Sequence, residues 1–176
     1  EKIEQFSQEN IPIVTIGTDL PNSKRLAYVG SNSYLFGQIA ANLLALFTNG
    51  TAQIGIITGS EYSYNHLQKV AGFEDYLANN YPDMHIVGKV INHDRDDESY
   101  EKVSHMLECH SKIDSLYFAA GGLRGGCKAV KDKGLNGKLK IVSFDLMPFN
   151  RQMVEDGTIL ATIGQQPEYH AEKALD

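Results

Sequence analysis

Lys140-Ile-Val-Ser-Phe-Asp145 and Ile159-Leu-Ala-Thr-Ile-Gly-Gln-Gln-Pro167 decide how the chain is read. Each is a short apolar run rich in strand-forming residues, and each stops at polar groups: Asp145 in the first, Gln165 and Gln166 in the second. Phe149 to Glu155 has a helical pattern and lies between them. Strand, helix, strand at this spacing predicts a right-handed crossover between parallel strands. In an open parallel sheet, ligands bind beyond the carboxyl ends of the strands, so Asp145 and Gln165 are placed to hold a small molecule. The alternatives are a helix cap for Asp145, ahead of Met147-Pro148, and plain loop residues for the glutamines.

Outward from this pair the same rhythm repeats. Ser33 to Thr48 reads as a helix, with Ile39, Leu43 and Leu46 on one face and Asn49-Gly50 as its stop. Strand and helix then alternate: Gln53–Thr58 with Tyr64–Asn79, His85–Ile91 with Ser99–His110, Ile113–Ala119 with Leu123–Lys133. The last predicted strand is Thr158–Ile163, followed by a helix from Glu168. The expectation is an α/β fold, a doubly wound and mostly parallel sheet covered on both faces. Before it, Lys2–Glu9 reads as a helix end, Ile11–Ile16 as a strand and Leu26–Val29 as a second short strand, joined by the turn-rich Thr18–Lys24. One helix end and one strand are too little to bury a core, so this opening is expected to belong to a larger structure. The first and last residues both fall in helical patterns, and the chain reads as part of something longer, which leaves the compartment open.

Composition narrows the functional classes. The 42% hydrophobic and 22% charged residues are those of a globular domain. A net charge of −6 with scattered Lys and Arg argues against a nucleic-acid surface, so any DNA contact needs a module outside these residues. The longest apolar run, Ile39 to Phe47, is about half the roughly 20 residues a membrane span needs. Cys109 and Cys127 form no paired motif, and two buried free thiols are expected.

A parallel sheet sends its strand ends to one rim, whose residues can be named. They include Asn32 and Tyr34, Ser60 and Tyr62 in Thr58–Tyr64, Asn92–Asp96, Ala120–Arg124, Asp145 and Gln165. This set is rich in amides, hydroxyls and rings, which suits hydrogen bonding and stacking with a neutral polar ligand. No nucleophile, base and orienter stand together, so no catalytic residue is assigned and binding is preferred over turnover. Gly121–Gly126 lacks the dinucleotide spacing and a Walker lysine, so no cofactor is expected. His105 and Cys109 stand four apart without further ligands, and no metal site is expected. The acids from Asp94 to Glu98 read as helix N-terminal charges. Lys69 stands on a helix where exposure is the default, with an inward turn to the rim as the alternative.

The segment order resembles the ligand-binding domain shared by LacI-type transcriptional regulators and periplasmic sugar-binding proteins, the type I periplasmic-binding-protein fold. Four stretches carry the likeness: Val29–Gly37 ahead of an Ala- and Leu-rich helix; Ile56–Ser60 through Lys69-Val-Ala-Gly-Phe73; Val142-Ser-Phe-Asp145; and Gly157–Gln165 with Pro167. The resemblance implies one Rossmann-like lobe of a two-lobed domain. Residues 1–28 would end the N-terminal lobe and make the first crossover, 29–163 would form the C-terminal lobe, and 164–176 would cross back. It implies ligand contacts from Asn32, Lys69, Asp145 and Gln165. The family usually has aspartate at the position of Asn32, arginine at that of Lys69 and often Asn-Asp at Ala120-Gly121, so what can be gripped differs. The first functional expectation is a cytoplasmic, homodimeric LacI-type regulator that senses a small carbohydrate effector, with its DNA-binding module outside this chain. The second is a periplasmic or extracellular sugar-binding protein serving a transporter or sensor.

Overall fold

The computed structural model describes residues 2–175, which fall into two compact units. One comprises the described residues up to Asn32 together with those from Gln165 onward; the other is Ser33–Gly164.

In the first unit, α1 (Lys2–Gln8) precedes β1 (Val14–Ile16) and β2 (Ala27–Val29), and the two strands pair in parallel with Val14 opposite Ala27. Ile11–Ile13 stay outside the ladder because β2 is only three residues long.

The second unit contains α2 (Ser33–Thr48), β3 (Ala52–Thr58), α3 (Tyr64–Asn80), β4 (Met84–Ile91), α4 (Asp96–Cys109), β5 (Ser115–Phe118), α5 (Leu123–Asp132), β6 (Lys140–Phe144), α6 (Pro148–Glu155) and β7 (Ala161–Ile163). The final helix, α7 (Pro167–Lys173), returns to the first unit. All five strands of the second unit are parallel, in the order β4-β3-β5-β6-β7. This is the doubly wound α/β sheet expected from the alternating pattern.

Alternation along the strands sends side chains to two cores. Ile54, Ile56, Tyr117 and Val142 pack with Leu44, Phe73 and Leu77 of α2 and α3. Ile57, Leu116, Phe118 and Ile141 pack with Val103, Val130 and Ile159 on the opposite face. Burial on both faces explains why these strands read as continuous apolar runs.

Helix α2 buries a different face from the one its large residues suggest. Gly37, Ala40, Ala41, Leu44 and Ala45 are buried, whereas Ile39 is 37% and Leu46 64% exposed. The helix is apolar all round, so periodicity could not choose the face; close approach to α3 chose the small residues. A Cβ on Gly37 would lie 2.1 Å from the Lys69 carbonyl oxygen, and one on Gly72 2.0 Å from that of Tyr34. This reciprocal glycine contact sets the depth of α3 and therefore of Lys69.

Two further expectations are corrected. Cys127 is buried, and burial pushes its thiol up to about 12, but Cys109 is exposed. The buried stripe of α4 runs through Ser99, Val103, Met106 and Leu107, and Cys109 falls outside it. Strand β7 is shorter than Thr158–Ile163, because Thr158 instead donates to the Asp156 carboxylate in a tight turn.

Candidate functional site

The strand order reverses at β3. The chain moves outward to β4, then returns to β5 on the other side, and the helices following β3 and β5 pack on opposite faces of the sheet. A crevice therefore opens between the carboxyl ends of β3 and β5, where ligands bind in such folds. Gly59 follows β3 there and Gly121 follows β5.

Lys69 enters this region from α3. It is 5% exposed, and its ammonium lies 4.0 Å from the centroid of the Phe144 ring at the end of β6. The Lys69 main chain is fixed on two sides: its carbonyl oxygen faces Gly37 and accepts a 3.3 Å hydrogen bond from the Tyr117 hydroxyl. Tyr117 in turn stacks on Phe73 at 4.2 Å between centroids. Burial lowers the pKa of the ammonium, and the nearby carboxylates of Asp145 and Asp94 oppose that shift. The inward alternative is thus the one adopted.

Asp145 follows β6 with a φ of 63°, left-handed backbone unusual for a residue with a side chain. Its carbonyl oxygen accepts from the Asn150 amide and, at 3.1 Å, from the Thr162 hydroxyl, and its own N–H donates to Ile163. Asn150 is 1% exposed, and its side-chain oxygen accepts from the Met147 N–H at 2.7 Å. Asn150, not Asp145, thus makes the capping contact at the start of α6.

Asp94 lies beyond β4, one residue ahead of the cap of α4, with left-handed backbone at both His93 (φ 50°) and Asp94 (φ 59°). Its Oδ1 accepts a 2.7 Å hydrogen bond from the Gly121 N–H and lies 3.9 Å from Nε2 of His66. The acids that serve as helix N-terminal charges are Asp96, Asp97 and Glu98; Asp94 is not one of them. Asn92, fully buried, ties the two loops together by donating to the Gly121 carbonyl and accepting from the Asp94 N–H. Burial lowers the pKa of His66, with Asp94 opposing and Lys69 reinforcing the shift.

Of the residues expected to bind, the structure brings Lys69 and Asp145 together at this rim. Ser60 lies beside it, lining a cavity of about 350 Å³ with Thr58, His66, Leu67, Val70 and Ile91. Tyr62 is 89% exposed on the same loop, its N–H bonded to Ser60 Oγ. The Tyr34 hydroxyl is engaged by Asp75 at 2.9 Å, on a later turn of α3 than Lys69. Asn32 and Gln165 belong to the first unit, where Ser31 Oγ donates to the Gln165 carbonyl at 3.4 Å. Asp94 stands in the rim stretch Asn92–Asp96 but reads from sequence as a helix N-terminal acid, His66 reads as a helix residue without a carboxylate partner, and Asn150 carries no signal; two consecutive left-handed residues leave no mark in composition.

Other candidates resolve structurally. Gly122 caps α5 at φ 78°, and a Cβ on Gly125 would lie 1.7 Å from the Asp96 carbonyl, so this glycine run serves packing of α5 on α4. Cys109 Sγ lies 3.5 Å from His105 Nε2, and among the described residues no group of three or more His, Cys, Asp or Glu is placed to hold a metal. Among the same residues no helix is long and apolar enough to cross a membrane.

Similarity to known proteins agrees with this fold. The chain is 21% identical over 175 residues to the ribose import binding protein RbsB of Escherichia coli, covering 99% of this chain and 58% of that protein. It superposes on GanP, a glucose-galactose binding protein from Geobacillus stearothermophilus, with a TM-score of 0.94 and 34% identity, over 98% of this chain and 62% of GanP. It superposes on the XylFII–LytSN complex with a TM-score of 0.93 and 27% identity, over 99% of this chain and 64% of the matched one. The chain thus spans about three fifths of the length of these relatives. The profile of the periplasmic binding protein domain matches residues 1–176, and the chain belongs to that family.

Proposed function

We propose that the chain forms the greater part of a sugar-binding protein that serves an import or sensing system, and that it takes a neutral sugar at the rim of its five-stranded sheet. One observation carries this reading. Lys69 is buried at a strand-end crevice, its ammonium lies over the Phe144 ring, and the Asp145 and Asp94 carboxylates stand nearby. Keeping a charge out of water is costly, and a ligand hydroxyl would meet it. Carboxylates and an ammonium facing an aromatic ring suit the hydroxyls and the apolar face of a sugar.

Of the two roles the family resemblance leaves open, the relatives favour uptake over regulation of transcription. RbsB is named for ribose import and GanP for glucose and galactose binding. A second reading, docking on a partner protein, is favoured by the likeness to XylFII in its complex with LytSN. Either role places the protein in the periplasm or outside the cell.

Titration calorimetry of the full-length protein with D-ribose, D-glucose and D-galactose tests the proposal. At least one sugar is expected to bind, and Asp145→Ala to weaken it at least about tenfold, since hydrogen bonds to a carboxylate contribute about 1.5–3 kcal/mol each. Binding of none of the three, or unchanged affinity in the variant, would overturn it.

A further inference from the structure

Beside the crevice lies the cavity of about 350 Å³, which the sugar reading does not use. It is floored by the end of β3 and of the edge strand β4, where Thr58 pairs with Ile91, and walled by His66, Leu67 and Val70 of α3. Lys69, on the same helix, does not line it and reaches Phe144 instead. Two polar atoms buried in this lining meet no partner among the described residues: Thr58 Oγ1, on a residue 7% exposed, and His66 Nδ1. His66 leans over this end of β3, since a Cβ on Gly59, next to Thr58, would lie 2.6 Å from its Cε1. Valine has the shape of threonine and would fill the same place, so a buried hydroxyl that nothing meets costs the fold stability. Asp94 Oδ1 lies 3.9 Å from His66 Nε2, which favours the proton there and leaves Nδ1 an acceptor; burial lowers the pKa of the ring, so it is neutral at pH 7. The charged residues of the lining are engaged elsewhere, Lys89 with Glu74 at 2.6 Å and Glu61 with the Tyr62 hydroxyl.

We infer that this cavity is a second binding site, separate from the sugar site, for a small molecule that carries one hydroxyl on an apolar ring or branched chain. The hydroxyl donates to His66 Nδ1 and accepts from Thr58 Oγ1, while the apolar body packs on Leu67, Val70 and Ile91. Its volume is at the small end of ligand pockets and suits a single ring. A sugar is a poor occupant, because these three apolar side chains would leave most of its hydroxyls unmet. An anion is disfavoured as well, since Nδ1 presents a lone pair and Glu61 lines the same cavity. The site goes beyond the sugar-binding reading and does not depend on it.

The test is an NMR titration of the full-length protein with phenol, and with anisole, whose methoxy oxygen cannot donate. Saturable shifts at the Thr58, Val70 and Ile91 methyls and the His66 ring are expected with phenol, and affinity at least about tenfold weaker with anisole. Thr58→Val should unfold at or above the wild-type temperature and bind phenol about tenfold more weakly. Leu67→Trp, at a position 49% exposed, should fold normally and block the cavity. Saturating D-galactose should leave phenol bound. No saturable shift at those residues, as for a cavity that holds water only, would overturn the inference. So would anisole binding as tightly as phenol, or phenol affinity unchanged in both variants. Displacement of phenol by D-galactose would make the cavity part of the sugar site and would overturn it too. If no sugar binds, the sugar reading fails alone, and the phenol titration still decides this inference.

Discussion

The two faces of the five-stranded sheet are built alike and used differently. Each buries branched aliphatic and aromatic residues against a helix pair, and each pair approaches through a glycine: Gly72 of α3 against the Tyr34 carbonyl, Gly125 of α5 against the Asp96 carbonyl. On the α2–α3 face the layer carries a buried ammonium, Lys69, up to the rim; among the described residues no buried lysine, arginine or acid joins the apolar cluster on the α4–α5 face. On the function proposed above, one face serves stability while the other gives up stability to hold a charge for a ligand.

The largest expected effect separates the faces directly. Gly72→Val places a side chain where a Cβ already lies 2.0 Å from backbone, and Gly125→Ala does so at 1.7 Å. Neither contact can be relieved by turning a flexible side chain, so each substitution should cost about 3 kcal/mol in chemical unfolding. Gly72→Val should also weaken sugar binding, because it moves the turn that carries Lys69, and should do so more than Gly125→Ala, which presses on Asp96 two residues from Asp94. Equal loss of affinity in both variants would erase the distinction between the faces.

A smaller effect sharpens it through pH. Burial holds the folded-state pKa of His66 below its ordinary 6.5. As pH falls through 6.5 the unfolded chain takes up a proton that the folded chain refuses, so stability declines until the folded imidazole also protonates. Unfolding midpoints measured from neutral pH downward should show this loss above the range in which carboxylates titrate. His66→Gln should remove that part of the slope, and a slope unchanged by the substitution would place the titration elsewhere.

The sequence revealed the fold more fully than the site, for reasons visible in particular residues. Strands β3, β5 and β6 are buried on both sides and so appear as apolar runs, and helix boundaries follow from Asn49-Gly50 and Met147-Pro148. The buried face of α2 was not legible, because a helix without charges offers no polar side to exclude. Asp145 was legible because it ends a strand, and Lys69 only as one of two alternatives, because its burial depends on how closely Gly37 and Gly72 let two helices approach. Asp94 was hidden among the acids of the next helix, since left-handed backbone and a glycine one strand away are properties of the folded chain.

The central claim is that Lys69 is kept buried for a ligand and at the expense of the fold. Replacing it with methionine, of similar length and without charge, tests this most directly when unfolding and sugar titration are measured on the same full-length protein. The expected result is an unliganded protein at least as stable as the wild type, with sugar affinity reduced at least about tenfold. A Lys69→Met protein that is less stable yet binds sugar as well as the wild type would show that the ammonium serves the core, and would contradict the account.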